Sequence, residues 1–266
     1  GAVQGFWLYS LKSKYGLKYI PLPTLMKYSG PYFIEEGIEI DEAITELYGE
    51  LPEVHKFYAQ IWPQYSPIIG EGAIASHAQS LHPTYTIEIK DHLDELKKNM
   101  HGNYRRIIQK NISDLELKDI YNERTFKIFI ELLELSVGEL NQYNLNKQSL
   151  DALFENVYSR KAGKLLTLYR NEQAIAACFI IWDQHRAYYL LAGNNKAENR
   201  IYPGVQMAYY TIQYLKEFTN VKLLDFLGSE IESIAKVWEK LGAERKDYIR
   251  IQKESQFLKF VNRLIP

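Results

Sequence analysis

Residues Arg186–Gly242 read RAYYLLAGNNKAENRIYPGVQMAYYTIQYLKEFTNVKLLDFLGSEIESIAKVWEKLG. The stretch resolves into strand, polar loop, helix, strand and helix. RAYYLLA, Arg186 to Ala192, reads as a strand, and GNNKAENRIYPG cannot be strand or helix throughout. Pro203 and Gly204 then open a helix. Its apolar positions Val205, Ala208, Tyr209, Ile212 and Leu215 recur at helical spacing on one face. VKLLDFL, Val221 to Leu227, predicts the next strand, and Gly228 turns the chain. Ser229-Glu230-Ile231-Glu232 reads as a capping box for a second helix. Ile231, Ile234, Trp238 and Leu241 form that helix's expected buried stripe, with Gly242 as its C-terminal cap.

A loop that runs into a helix N-terminus leaves backbone N–H groups free at the positive end of the helix dipole. Both favour an anionic ligand such as a pyrophosphate. Gly204 lets such a ligand approach the backbone, and Pro203 presets the first turn without removing a needed donor. A plain strand-to-helix turn would leave the same local residues.

Working outward, the C-terminal direction adds a strand at Ala243 to Gln252 and a helix at Glu254 to Leu264. Upstream, Lys164 to Arg170 and Ala174 to Trp182 predict a hairpin turning at Asn171-Glu172-Gln173. Two helices precede it, at Tyr121 to Glu139 and Lys147 to Lys161. The second half thus reads α-α-β-β-β-α-β-α-β, in which antiparallel strands precede a crossover helix and give a mixed α+β sheet.

The first half mixes strands with a helical insertion. Gly1 to Ser10 reads as a strand, Tyr15-Gly16 as a turn, and Leu17 to Ile20 as a strand pairing back. PLPTLMKYSGPYF, Pro21 to Phe33, is a long loop of the kind usually reserved for function. A short helix carries Ile44 and Leu47 behind Asp41, and a second helix is expected from Pro52 to Ile61. Ile68 to Ala75 and Thr84 to Ile89 read as strands, and Asp91 opens a helical stretch. Lys97, Lys98, Arg105, Arg106 and Lys110 form a local basic cluster, either a solvated helix face or a contact to a phosphorylated ligand.

Composition bounds the function. The 266 residues suffice for one large domain or two ordinary ones, and 46% hydrophobic with 24% charged is ordinary globular usage. A net charge of -1 supplies no global field for nucleic acid or anionic membrane. The one cysteine, Cys178, excludes an intrachain disulfide framework and sits in the apolar run AIAACFIIW as a core thiol. His55, His77, His82 and His101 show no metal-ligand spacing, so no metal is expected. No run of about 18 apolar residues is present, so no membrane span is expected. No signal peptide is visible, and a cytoplasmic protein is the expectation, although the chain begins Gly-Ala rather than with Met.

The element order, with NYRRIIQK, YYLLAGNN, YPGVQMAYYTIQYL and LLDFLGSEIESIAKVWEKLGAE, resembles the GNAT acyltransferase superfamily. With FWLYSLKSKYGLKYIPLP, KYSGPYF and HPTYTIEI in the first half, the chain looks like the FemAB-related, BioF2-like two-lobed branch. The resemblance implies two GNAT-like lobes with mixed, mainly antiparallel sheets flanked by helices. An N-terminal lobe would span residues 1–90, with its start left open, and an acyltransferase lobe 91–266. It implies an N-acyltransferase moving an acyl group from acyl-CoA, such as acetyl-CoA, to an amine or a cell-wall-precursor acceptor. Two other readings stay open. One is an aminoacyl-tRNA-dependent FemAB-type ligase of the peptidoglycan bridge, with tRNA as partner. The other is a non-catalytic binding module on the same fold.

The family's glycine-rich turn has the form Q/R-x-x-G-x-G/A. Arg200-Ile201-Tyr202-Pro203-Gly204-Val205 carries the Arg and one Gly, then Val where Gly or Ala is expected. On this resemblance Arg200, Pro203, Gly204, Val205 and Gln206 would hold phosphate, and Leu191, Ala192 and Gly193 the acyl arm. Asp225 lies mid-strand between apolar neighbours, where a carboxylate is costly unless it is paired or faces a cleft. It is the first candidate general base, or else a structural Asp held by nearby backbone. Ser229 and Glu230 are its sequence neighbours, with Ser229 also a candidate helix cap. Tyr28 and Tyr32 on the Pro-rich loop, and Arg105, are the candidate acceptor contacts.

Overall fold

The structure is a computed structural model that describes residues 4–34, 38–65, 78–89, 93–138, 140, 145–228 and 230–258. The chain forms two compact units: residues 1–83 with 246–266, and residues 84–245. Both are α+β.

In the first unit β1 (Gly5–Phe6) pairs antiparallel with β4 (Tyr32–Phe33). β2 (Lys12–Lys14) and β3 (Leu17–Ile20) form a hairpin around Tyr15 and Gly16, both at positive φ (52° and 78°). Leu17 to Ile20 therefore pairs with Lys12 to Lys14, and the strand expected over Gly1 to Ser10 shrinks to two residues among those described. Helix α1 spans Ile40–Gly49 and buries Ile44.

β5 (Lys56–Ile61) corrects the helix expected from Pro52 to Ile61. Phe57, Ala59 and Ile61 alternate onto one face and are all buried. β3 runs parallel beside β5, and the strand Glu244–Glu254 pairs antiparallel on its other edge, with Ile249 opposite Ile61 and Ile251 opposite Ala59. A six-residue segment whose period-two face meets Ile249 and Ile251 gains more from sheet pairing than from one short amphipathic turn. These side chains pack with Trp7, Ile20 and Ile44 as the core of this unit.

The second unit begins within β6 (Ala78–Glu88). Helices α2 (Leu93–Asn99) and α3 (Gly102–Asn111) follow, then β7 (Leu115–Lys118), a strand the hydrophobic pattern did not reveal. Helix α4 (Glu123–Val137) starts on a capping box in which Asn122 and Thr125 exchange hydrogen bonds. Helix α5 (Lys147–Ser159), β8 (Gly163–Arg170) and β9 (Gln173–Trp182) agree with expectation, and the hairpin turns on Asn171 and Glu172, both at positive φ. β10 (Arg186–Asn194), helix α6 (Pro203–Phe218), β11 (Leu223–Asp225) and helix α7 (Glu232–Leu241) complete the opening stretch. The strand Glu244–Glu254 is β12.

Strand order in this unit is β6-β11-β10-β9-β8-β7. All neighbours are antiparallel except β10 and β11, which run parallel because α6 crosses over between them. Helices α4 and α5 cover one face: Phe154 of α5 lies 3.8 Å from Phe179 of β9 between ring centroids. Helix α6 covers the other, with Met207, Ala208, Ile212 and Leu215 fully buried. The strand expected at Ile68 to Ala75, His77 and most of the helix expected at Glu254 to Leu264 lie outside the described residues.

Two features of α7 depart from the sequence reading. The helix starts at Glu232 with Ile231 as N-cap and no side-chain capping bond, and Ser229 lies outside the described residues. Ile231 and Ile234 are exposed, while Ala235 and Leu241 are buried, so the buried face is rotated from the expected stripe. Gly242 does cap the helix in the left-handed conformation, φ 96°.

Candidate active site

β10 and β11 pair only from Arg186–Leu223 to Tyr188–Asp225. Beyond that point β11 ends while β10 runs on to Asn194, so the two parallel strands part and leave β10 with an open edge. A shift in the β10–β9 register between Tyr189 and Leu191 bends β10 at the same place. A cavity of about 890 Å³ occupies the opening. That is within the range of a site for a drug-sized ligand.

Four elements supply most of its wall. From β10 come Tyr189, Ala192 and Asn194, and from the end of β11 come Phe226 and Gly228. The start of α6 contributes Tyr202, Pro203, Gly204 and Val205, and α7 contributes Ser233, Ile234, Val237 and Trp238. Tyr104 of α3, Ser136 and Val137 of α4, and Lys196 complete the lining. Lys196 is the one charged side chain among these described residues.

The inner end is aromatic. Phe226 stacks on Trp238 with centroids 4.1 Å apart and planes at 11°, and Tyr189 meets both edge-on at 5.6 and 5.7 Å. The Tyr189 hydroxyl is buried against Cys178, and burial holds it protonated. The outer end is polar. Ser136 Oγ accepts from Asn194 N–H at 2.7 Å and donates to Asn194 O at 3.2 Å, closing the end of β10 onto α4. Lys196 Nζ donates to Ser136 O at 3.2 Å. Tyr104 and Tyr202 sit with ring centroids 6.2 Å apart, and burial, with Tyr202 second, raises the Tyr104 pKa. At neutral pH Tyr104 can therefore donate a proton but not accept one.

The start of α6 is unusual. Its N-cap, Tyr202, is in the left-handed conformation (φ 52°, ψ 65°), and its carbonyl accepts from both Val205 N–H (3.0 Å) and Gln206 N–H (3.1 Å). Gly204 N–H has no hydrogen-bond partner among the described residues. Of the three amides expected to face an anion, two are thus turned onto Tyr202.

Of the residues singled out for an acyl donor, Ala192, Pro203, Gly204 and Val205 line the cavity. Leu191, Gly193, Arg200 and Gln206 do not. Gly193 lies against the α4 backbone at Leu132 and Leu133, where a Cβ would collide. Gln206 is buried and donates to Ile107 O at 3.1 Å, tying α6 to α3. Arg200 is exposed at the end of the 3-10 turn Lys196–Ile201.

Asp225 is fully buried and is not part of the wall. Its Oδ1 accepts from Thr84 Oγ1 (2.6 Å) and Leu227 N–H (2.8 Å), and its Oδ2 lies 3.5 Å from Arg186 Nη1. Phe226, the next residue, faces the cavity, so alternation along the extended chain turns Asp225 to the opposite side. Glu230 is exposed and outside the wall. Arg105 donates to Lys98 O and Met100 O at 3.4 and 3.2 Å, satisfying carbonyls at the end of α2. In the first unit Tyr28 is buried against Trp62 (4.6 Å) and Tyr248 (5.7 Å), and Tyr32 packs on Phe6 and Trp62. No group of three or more His, Cys, Asp and Glu side chains is placed to hold a metal among the described residues.

Tyr104, Ser136, Tyr189, Asn194, Phe226, Val237 and Trp238 were missed as site residues. The aromatic and apolar ones have the spacing of core positions, and nothing in the sequence distinguishes an apolar residue that lines a cavity from one that fills a core; Ser136 and Asn194 are polar residues without a motif.

Residues 117–238 match the family model described as an acetyltransferase (GNAT) domain. Among solved structures, FemX is similar over 100% of this chain and 88% of its own, at 13% identity and a TM-score of 0.65. The C-terminal domain of a putative lysylphosphatidylglycerol synthetase from Agrobacterium fabrum is similar over 98% of this chain and 85% of its own, at 14% identity and a TM-score of 0.58. No curated protein matches the sequence. At such identities the structural likenesses speak for the fold. Residues 117–238 thus resemble an acetyltransferase (GNAT) domain, and the whole chain shares its fold with FemX.

Proposed function

We propose that the chain is an N-acyltransferase that takes an acyl group from acyl-CoA and passes it to an amine. The observation that carries this reading is the cavity where β10 and β11 part, directly at the start of α6. An open strand edge can hydrogen-bond an extended amide-bearing arm as a further strand would. Gly204 N–H and the Lys196 ammonium, both on the cavity wall, suit the phosphates. The donor supplies an activated thioester carbonyl.

In the transfer the neutral amine nitrogen attacks that carbonyl carbon. The new C–N bond forms, the C–S bond breaks, the nitrogen loses a proton and the departing thiolate gains one. No carboxylate or imidazole lines the cavity among the described residues. The protein's contribution is then positioning and neutral donors rather than a strong base at the carbonyl. The wall carries the hydroxyls of Tyr104, Tyr202, Ser136 and Ser233, while that of Tyr189 is buried against Cys178.

The test is thermal stability and calorimetric binding with CoA and acetyl-CoA. Ligand at 100 times its dissociation constant adds about 2.7 kcal/mol. No shift at millimolar CoA refutes the reading. The FemX likeness over the full chain favours an aminoacyl-tRNA-dependent ligase as second reading. That reading requires tRNA binding that weakens steeply with salt as counterions are released.

A further inference from the structure

The apolar side of α7 is only partly taken up by the core. Ile234 is 40% exposed and Val237 and Trp238 are half-buried; the latter two pack against the core, and all three also line the cavity. At the inner end Trp238 stacks on Phe226 and meets Tyr189 edge-on, and Ile234 and Val237 line the same cavity. That end carries no charged group among the described residues, and the one cation of the wall, Lys196, belongs to the polar end beside Ser136. The cavity is therefore amphiphilic along its length. An acetyl group would leave this apolar wall facing water, at a cost of about 25 cal/mol for each Å² left uncovered.

Resting on the acyl-CoA reading, we infer that the donor's acyl group is a hydrocarbon chain well longer than acetyl, seated against Ile234, Val237, Phe226 and Trp238. The occupant is a medium-chain acyl thioester: its anionic end suits Lys196 and its hydrocarbon end the aromatic stack. A polar or charged aminoacyl group would have no partner there, since a buried polar group without a hydrogen bond is penalised.

The experiment is calorimetric titration of the full chain with free CoA, acetyl-CoA, hexanoyl-CoA, decanoyl-CoA and decanoyl-pantetheine at submicellar concentration. Each methylene that enters the apolar end should tighten binding up to about fourfold, and decanoyl-CoA should bind at least about 100-fold more tightly than acetyl-CoA. The variant Ile234→Gln alters an exposed residue and so keeps the fold. It should lower the ratio of decanoyl to acetyl affinity. If CoA binds and chain length changes affinity by less than about threefold, this inference falls and the acyl-CoA reading stands. If decanoyl-pantetheine binds but neither CoA nor its thioesters do, the CoA reading falls and the apolar seat stands. Binding of none of them overturns both.

Discussion

Replacing Asp225 distinguishes a general base from a structural anchor. As a general base it would be needed for turnover and dispensable for folding. In the structure it is an anchor. Its Oδ1 takes hydrogen bonds from Thr84 on β6 and from the Leu227 amide just after β11, and its Oδ2 faces Arg186 on β10. Three adjacent strands thus meet at one buried carboxylate. Asp225→Ala removes two bonds to a charged acceptor and the counter-charge of an Arg186 side chain that is 16% exposed. Removing one partner of a buried pair costs about 3–5 kcal/mol. At about 2–4 °C per kcal/mol for a chain of this size, the melting temperature should drop by roughly 6–20 °C. Asp225→Asn keeps an oxygen where Oδ1 now accepts and loses only the charge, so its drop should be smaller. The assays are thermal unfolding by circular dichroism and, well below the melting temperature, calorimetric CoA binding together with acyl transfer to an amine panel. Turnover should survive in Asp225→Asn to within about tenfold. An Asp225→Asn protein with an unchanged melting temperature, unchanged CoA affinity and turnover lost by more than about 100-fold would refute the structural assignment.

Gly204→Ala should stabilise the fold by about 0.4–1 kcal/mol, since its φ is not left-handed and the added Cβ would meet Asn194 Nδ2 at an ordinary 3.4 Å. The same methyl sits on the cavity wall and should weaken CoA binding by on the order of tenfold, one hydrogen bond to a charged group; higher stability with unchanged affinity would remove Gly204 N–H from the phosphate site. Cys178 is buried, and burial pushes its thiol up to about 12, so iodoacetamide at pH 8 should label the unfolded chain and leave the native one unmodified, as mass spectrometry will tell. Burial also raises the phenols of Tyr121, Tyr188, Tyr214 and Tyr158, the last to about 12. A raised folded pKa means the associated stability is complete below the unfolded value near 10 and is lost as pH climbs from 10 through 12. Tyrosinate absorbance should therefore rise together with unfolding in that window, and a fully ionised yet folded chain would contradict it. Arg105→Ala should cost about 1–2 kcal/mol through the α2 carbonyls at Lys98 and Met100, with acceptor affinity unchanged; selective loss of the acceptor would restore Arg105 as a substrate contact.

The strand-helix-strand-helix run from Arg186 was legible because most of its boundaries carry local chemistry, the start of α7 excepted. Pro203 suits the first turn of a helix, Gly242 supplies the left-handed cap at φ 96°, and Asn171-Glu172 turns a hairpin between two strands rich in apolar residues. β5 was not legible. Lys56–Ile61 satisfies a short helical face as well as a strand face, and what selects the strand is Ile249 and Ile251, about 190 residues away in the chain. β7 has the same character: Leu115–Lys118 has too few residues to show a period, and its place is fixed by pairing with β8. Local propensity settles such segments only when no distant partner outweighs it.

The site follows a related logic one level down. Asp225 and Phe226 are neighbours in an extended segment, so whichever of them faces the cavity, the other cannot. The sequence drew attention to the carboxylate, because a charge among apolar residues stands out, and passed over the phenylalanine, because an aromatic there looks like core. Pairing with β6 settles the matter, since Thr84 offers its hydroxyl on the Asp225 side and the Tyr85 carbonyl accepts from Phe226 N–H. α7 shows the same inversion. Its stripe was read as core, and half of that stripe lines the cavity. In both places a ligand-facing apolar surface carries the sequence signature of an interior. It becomes visible only once the backbone shows that β11 has ended and β10 has not.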